Sequence, residues 1–199
     1  MKKFTSKEHI MTEILELMRN NENLRMLNLQ EIAKELDCTL INICEYFPSY
    51  NDLLWDAHAA IHGVFKCMLI EKLAHTDTAE LKFVYFFQTI VDIYMDNKGW
   101  FRLAWLEYIE GERPQKDIDA VNAGTKFLDN YISDIWNGIF NEYPDKESTG
   151  RIMHNMHCYI IGEISNHLLR KGRKKNETEL RSYIANESAL MFRLCMQGV

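Results

Sequence analysis

Apolar residues recur every three or four positions through almost the whole chain, and only three Pro and nine Gly interrupt the pattern. Strands alternate with period two, so this spacing selects an all-α fold. Ile10, Ile14, Leu17 and Met18 form one face of a first helix. Thr5 with Glu8 has the spacing of a capping box, in which the hydroxyl satisfies a free N–H and the Glu reaches back. Asn28 with Glu31 opens a second helix around Ile32 and Leu36, and Thr39 caps a short third running to Tyr46. Ser49 with Asp52 opens a long fourth. Longer helices are expected at about 50–74, 78–97, 99–110, 115–142, 147–171 and 176–197, divided at NKGW, GERP and YPDKES.

A hydrophobic content of 47% with 26% charged residues allows a core without covalent staples. The net charge of −6 excludes a strongly basic nucleic-acid coat and leaves room only for a local patch. Five Cys, at 38, 44, 67, 158 and 195, include no CxxC pair, so reduced and mostly packed thiols are expected. The start MKKFTSKEHI carries no apolar run, and no signal peptide is expected there. No stretch is expected to span a membrane, which needs about 18 apolar residues. A soluble, cytoplasmic protein with no membrane partner follows as the expectation. There is no GxSxG, HExxH, Ser-His-Asp layout or phosphate-cradling Gly loop, so neither an enzyme nor a cofactor is expected. His58 with His62, and His154 with His157 and Cys158, fall short of the convergent ligands zinc needs. They are expected to be packed or solvent-facing, with no metal.

Residues 29–47 have the layout of a helix-turn-helix. Ile32-Ala33 allows close approach of the next helix, Asp37-Cys38 forms the turn, and Ile43 and Phe47 pack the second helix back onto the first. The stretch NLQEIAKELDCTLINICEYFPSYNDLL resembles the TetR family of bacterial transcriptional regulators. The IA dipeptide, the turn, Tyr46-Phe47, the Pro-Ser turn and the following DLL share that family's order and spacing. The resemblance implies a helix-turn-helix DNA-binding domain at 1–48 and a ligand-binding and dimerisation domain at 49–199. It also implies a homodimer formed by the helices at about 147–171 and 176–197, a double-stranded DNA operator and a small-molecule effector. Asn28 would meet a phosphate, while Thr39, Leu40, Ile41, Asn42 and Tyr46 would face bases or backbone.

The same stretch departs from the family. Asp37 stands where Gly is usual in the turn, Cys44 where a phosphate-contacting Tyr is usual, and Tyr50 where a Lys usually opens the fourth helix, a place from which Tyr50 is still expected to contact DNA. No Lys or Arg lies between Lys34 and Lys66. Because affinity for DNA comes largely from neutralised phosphates, few cations mean weak binding and a shallow salt slope. Lys2, Lys3, Lys7 and Lys34 are then expected to carry the phosphate attraction, with Asn42 reading adenine and Thr39 or Leu40 a thymine methyl.

Aromatic residues crowd the central helices. Phe65, Phe86, Tyr94, Trp100, Trp105 and Tyr108, with Phe127 and Tyr131, are expected to line an apolar or aromatic effector pocket. Ile152, Met156, Tyr159, Ile160, Ile164 and Leu168, facing Leu180, Ile184, Met191, Leu194 and Cys195, are assigned to the dimer seam by the resemblance. The basic run RKGRKK at 170–175 is expected to be a helix end and solvated loop. The leading expectation is a DNA-binding regulator, a repressor released by a small, mainly apolar or aromatic ligand. The alternative is a helical sensor or partner-binding dimer whose head has lost most DNA affinity.

Overall fold

A computed structural model describes residues 4, 6–21, 23–172 and 176–197. Among these residues there are nine α-helices, one 3-10 turn at Leu24–Met26 and no strand, so the all-α expectation holds. The helices are α1 (Lys7–Met18), α2 (Leu29–Glu35), α3 (Leu40–Cys44), α4 (Tyr50–Leu73) and α5 (Ala79–Asp96). They continue with α6 (Lys98–Trp105), α7 (Gln115–Phe140), α8 (Lys146–Leu168) and α9 (Glu177–Gln197).

Local chemistry explains most boundaries. The Asn28 side chain accepts N–H bonds from Gln30 and Glu31 at the start of α2, and Thr39 Oγ1 accepts that of Asn42 at the start of α3. Ser49 accepts the Asp52 N–H and donates to the Asp52 carboxylate, 2.7 Å away. For α1 the cap is Ser6, which accepts from His9 N; Thr5 lies outside the described residues. Asp37 sits at φ +52°, the left-handed turn conformation that short polar side chains tolerate best after Gly. The expected helix at 99–110 stops at Trp105, where the Leu106 and Glu107 N–H groups both fold back onto the Arg102 carbonyl.

The chain divides into two compact units. One comprises Met1–Val64 with Asp96–Val121, the other Phe65–Met95 with Asn122–Val199. In the first unit Phe4, Ile10, Ile14, Met18, Ile32, Ile43 and Phe47 are almost completely buried. Each such side chain contributes about 1.5–3 kcal/mol. The start of α6 is fastened to the end of α1. Gly99 donates its N–H to the Arg19 carbonyl (2.9 Å), Trp100 Nε1 donates to the Leu15 carbonyl (2.7 Å), and Arg19 Nε donates to Asn97 Oδ1 (2.6 Å).

The second unit is built around rings. Phe83, Phe87 and Phe192 lie 5.8–6.0 Å apart between centroids, and Trp136 joins them at 6.1–6.5 Å from Phe192 and Phe83. Here the structure divides the residues assigned to the seam: Leu194 and Cys195 are exposed, Tyr159, Leu168 and Met191 are half-buried, and the others are core. Ile152, Met156, Ile160, Ile164, Leu180 and Ile184 are already buried within the single chain, because α8 and α9 turn these six side chains inward. Tyr183, Leu190 and Leu194 face outward on α9, with Leu169 exposed just after α8. The cysteines differ too: Cys38 is buried, while Cys44, Cys67, Cys158 and Cys195 are exposed on helix surfaces.

One helix, α4, is long and apolar enough by composition to cross a membrane, contrary to the expectation for any stretch of this chain. Half of its most apolar window is buried in the fold, as in the core helix of a globular protein.

Candidate functional site

In the head, α3 is held by its own caps and by the start of the chain. Asn42 Oδ1 accepts the Phe4 N–H at 2.9 Å, and Asn42 Nδ2 donates to the Phe4 carbonyl and to Glu45 Oε2, both at 3.3 Å. Tyr46 Oη donates to the same Phe4 carbonyl at 3.2 Å. Asn42 is therefore buried and clamps backbone, rather than pointing outward toward an adenine. Tyr46 is likewise engaged inward. Thr39 and Leu40 are half-buried at the start of α3, and Ile41 is 74% exposed.

The remaining head residues fall as follows. Asn28 is exposed, with its amide oxygen holding the first turn of α2. Tyr50 donates its hydroxyl to the Leu24 carbonyl at 2.9 Å, and burial, then Glu107 and Glu31, push its phenol up to about 12. Lys2 and Lys3 lie outside the described residues. Lys34 is exposed on α2. Lys7 is ion-paired with Asp56 of α4, which also takes Lys116 of α7 at 2.9 Å. Burial works to raise the Asp56 carboxyl, but the two ammonium groups outweigh it and hold it below the ordinary range.

The same compact unit contains an open cleft of about 460 Å³. Its walls come from α4, α6, the loop after α6 and the start of α7. Four rings follow one another along it. Trp55 and His58 are 5.9 Å apart, His58 and His62 4.9 Å, and His62 and Trp105 5.4 Å, all edge-on. Tyr108, 81% exposed, and Ile109 border the mouth. A charged cluster stands at one side. Asp117, 1% exposed, receives His58 Nδ1 on one oxygen and Arg113 Nε on the other, each at 2.5 Å. His58 Nε2 faces the Ala104 carbonyl at 3.3 Å. Both ring nitrogens thus lie within hydrogen-bond distance of an oxygen atom.

The expected effector-pocket residues separate. Trp105 and Tyr108 line the cleft, and Trp100 is buried where α6 meets α1. Phe65, Phe86, Tyr94, Phe127 and Tyr131 belong to the second unit. There Phe86 stacks on Tyr131 at 6.1 Å, Phe127 lies 5.4 Å from Tyr131, and Phe65 lies 5.1 Å from Tyr94. Sequence reasoning missed Trp55, Arg113 and Asp117. The histidine pair was the one usable signal, since His58 and His62 are a turn apart on the helix that lines the cleft. Among the described residues no group of three or more His, Cys, Asp or Glu converges as a metal site would require. His58 is engaged by Asp117, and His157 by Tyr94.

No family model matches the sequence, and a search of curated proteins finds no match. Solved structures do match. A protein of unknown function from a Rhodococcus species aligns over 96% of this chain and 95% of its own, with a TM-score of 0.72 at 13% identity. The TetR family transcriptional regulator PfmR from Thermus thermophilus aligns over 96% of this chain and 97% of its own, with a TM-score of 0.58 at 16% identity. At such identities the likeness is one of architecture, and it agrees with the helix-turn-helix geometry of α2 and α3: the chain has the fold of the TetR family regulators.

Proposed function

We propose that the protein is a cytoplasmic, homodimeric transcriptional regulator that binds an operator through its helix-turn-helix and releases it when a small aromatic ligand occupies the cleft. Residues 1–48 form the DNA-binding domain and 49–199 the ligand-binding and dimerisation domain. The observation that carries this reading is the placement of cleft and head in one compact unit. The α6 helix that lines the cleft begins on the last turn of α1, and the α7 residues beside Arg113 reach α1 through Lys116, Asp56 and Lys7. A ligand that shifts α6 or α7 therefore shifts α1. It must bind the operator-incompetent state more tightly, since equal affinity shifts nothing.

On DNA, Ile41 and Leu40 meet thymine methyls from the exposed side of α3, with Lys34 and the lysines that precede Phe4 in sequence on phosphates. The Asn42–Phe4 hydrogen bonds hold Phe4 against α3. The dimer uses the outward residues Tyr183, Leu190 and Leu194 of α9 with neighbouring surface of α8. Its two heads present themselves about 34–36 Å apart, one turn of B-DNA.

Selection from a random duplex library at low and near-physiological salt tests the reading. Enrichment of a two-fold symmetric sequence is expected; no enrichment at either salt overturns it.

One observation favours a second reading. The outward side of α3 offers Ile41, Cys44 and Glu45, while Asn42 and Tyr46 face inward, and no cation follows until Lys66. A head of this kind suits a protein partner better than a polyanion. A dimer that enriches no DNA sequence yet retains ligand binding would be that sensor.

A further inference from the structure

We infer that the cleft selects a planar aromatic ligand bearing a single carboxylate, with Arg113 as the residue that recognises the acid. The inference rests on the reading of the cleft as the effector site. The ring-lined wall from Trp55 through His58 and His62 to Trp105 provides flat apolar and polarisable surface, which suits a flat ring system. The cleft volume, about 460 Å³, lies in the range used by small-molecule sites.

Among the described residues, Arg113 is the one Lys or Arg in the cleft lining, and Asp117 holds it through Nε. Arg113 touches Asp117 through Nε, and its side chain is 42% exposed beside the cleft. In a planar guanidinium the Nε–H lies on the side edge, so the end-on pair of N–H groups, one from each terminal nitrogen, points in a different direction from that contact. A planar guanidinium used in this way grips a carboxylate through two parallel hydrogen bonds. Asp117, almost fully buried and bonded to both Arg113 and His58, fixes the orientation of the guanidinium. Glu107 also borders the cleft and sets a carboxylate against a second anionic group on the ligand. One acid is therefore favoured and a diacid is not.

Calorimetric titration of the DNA-free protein with 2-naphthoic acid and with 2-naphthamide tests this directly. The two probes share a ring system and differ in charge. The acid is expected to bind about tenfold more tightly than the amide or better, as a charge-assisted bidentate contact implies. Arg113→Gln is expected to bring the acid down to the amide's affinity, and Trp105→Leu to weaken both probes together. Circular dichroism and thermal melting confirm that each variant folds. Should Arg113→Gln fail to fold, the acid-to-amide ratio of the unaltered protein decides. Equal binding of acid and amide, binding of neither, or an acid preference that survives in folded Arg113→Gln overturns the assignment. Operator selection is read separately, so a protein that prefers the acid but enriches no DNA keeps this site and loses the repressor role.

Discussion

Nδ1 of His58 lies 2.5 Å from Oδ1 of Asp117, a contact between α4 and α7 spanning 59 residues of sequence. It is a buried pair, because Asp117 is 1% exposed and also holds Arg113. Removing the carboxylate leaves the Arg113 guanidinium without its counter-charge and the His58 ring without its partner. Asp117→Asn is therefore expected to destabilise the fold by about 3–5 kcal/mol, the usual result of breaking one side of a buried pair. Urea unfolding at neutral pH measures it, and a loss below about 1 kcal/mol would show that the pair is not desolvated as described.

A second histidine sets a pH dependence. The Tyr94 hydroxyl lies 2.7 Å from Nε2 of His157, and burial, then the charge of His154, hold the His157 imidazole down to about 4. The folded value lies below the unfolded one near 6.5, so the stabilisation is complete above 6.5. It is lost as pH falls toward 4, because the unfolded chain takes up the proton first. About 2–3 kcal/mol of stability should disappear across that window. Denaturant melts at about pH 7 and about pH 4.5 should show that loss in the parent and a smaller one in His157→Gln.

Gly99 tests the junction between α1 and α6. An added Cβ would fall on the Met18 carbonyl oxygen and lie 2.7 Å and 2.9 Å from the backbone oxygen and nitrogen of Asn21. Backbone cannot move aside as a flexible side chain does. Gly99→Ala should lower stability by about 3 kcal/mol or more, and a melting temperature equal to the parent's would refute that close approach.

Asn42 links stability to DNA binding. Asn42→Ala leaves the Phe4 N–H without its acceptor and the Phe4 carbonyl with the Tyr46 hydroxyl, and is expected to destabilise the head by about 1–3 kcal/mol. It should also weaken operator binding without changing which bases are preferred, since Asn42 positions the chain's start and does not face the groove. A variant that alters the enriched sequence at one position would restore Asn42 to the role of base reader.

The contrast between Asn28 and Asn42 shows what could be read in advance. Asn28 caps N–H groups two and three residues away, and Thr39 and Ser49 do the same, so helix starts and the helix-turn-helix were legible from local spacing. At the first helix two adjacent hydroxyl residues competed, and Ser6 caps where Thr5 was expected. The partner of Asn42 is 38 residues distant, and that of His58 is 59, separations over which no periodicity carries information. The α8 and α9 stripes were visible as amphipathic faces, but spacing alone cannot distinguish a core within one chain from a seam between two. The cleft escaped for the same reason. Arg113 and Asp117 sit at a helix start that reads as a mere breaker, and Trp55 sits among the apolar residues of α4.

Operator recognition by the head requires α3 to read DNA with no cation of its own. Duplex selection repeated with the parent protein and with Ile41→Ala probes this without disturbing the core, because the Ile41 side chain is exposed. A two-fold symmetric sequence is expected from the parent, and a changed preference at one position of each half-site from the variant. No enriched sequence, or the same sequence from both proteins, would contradict a reading role for α3.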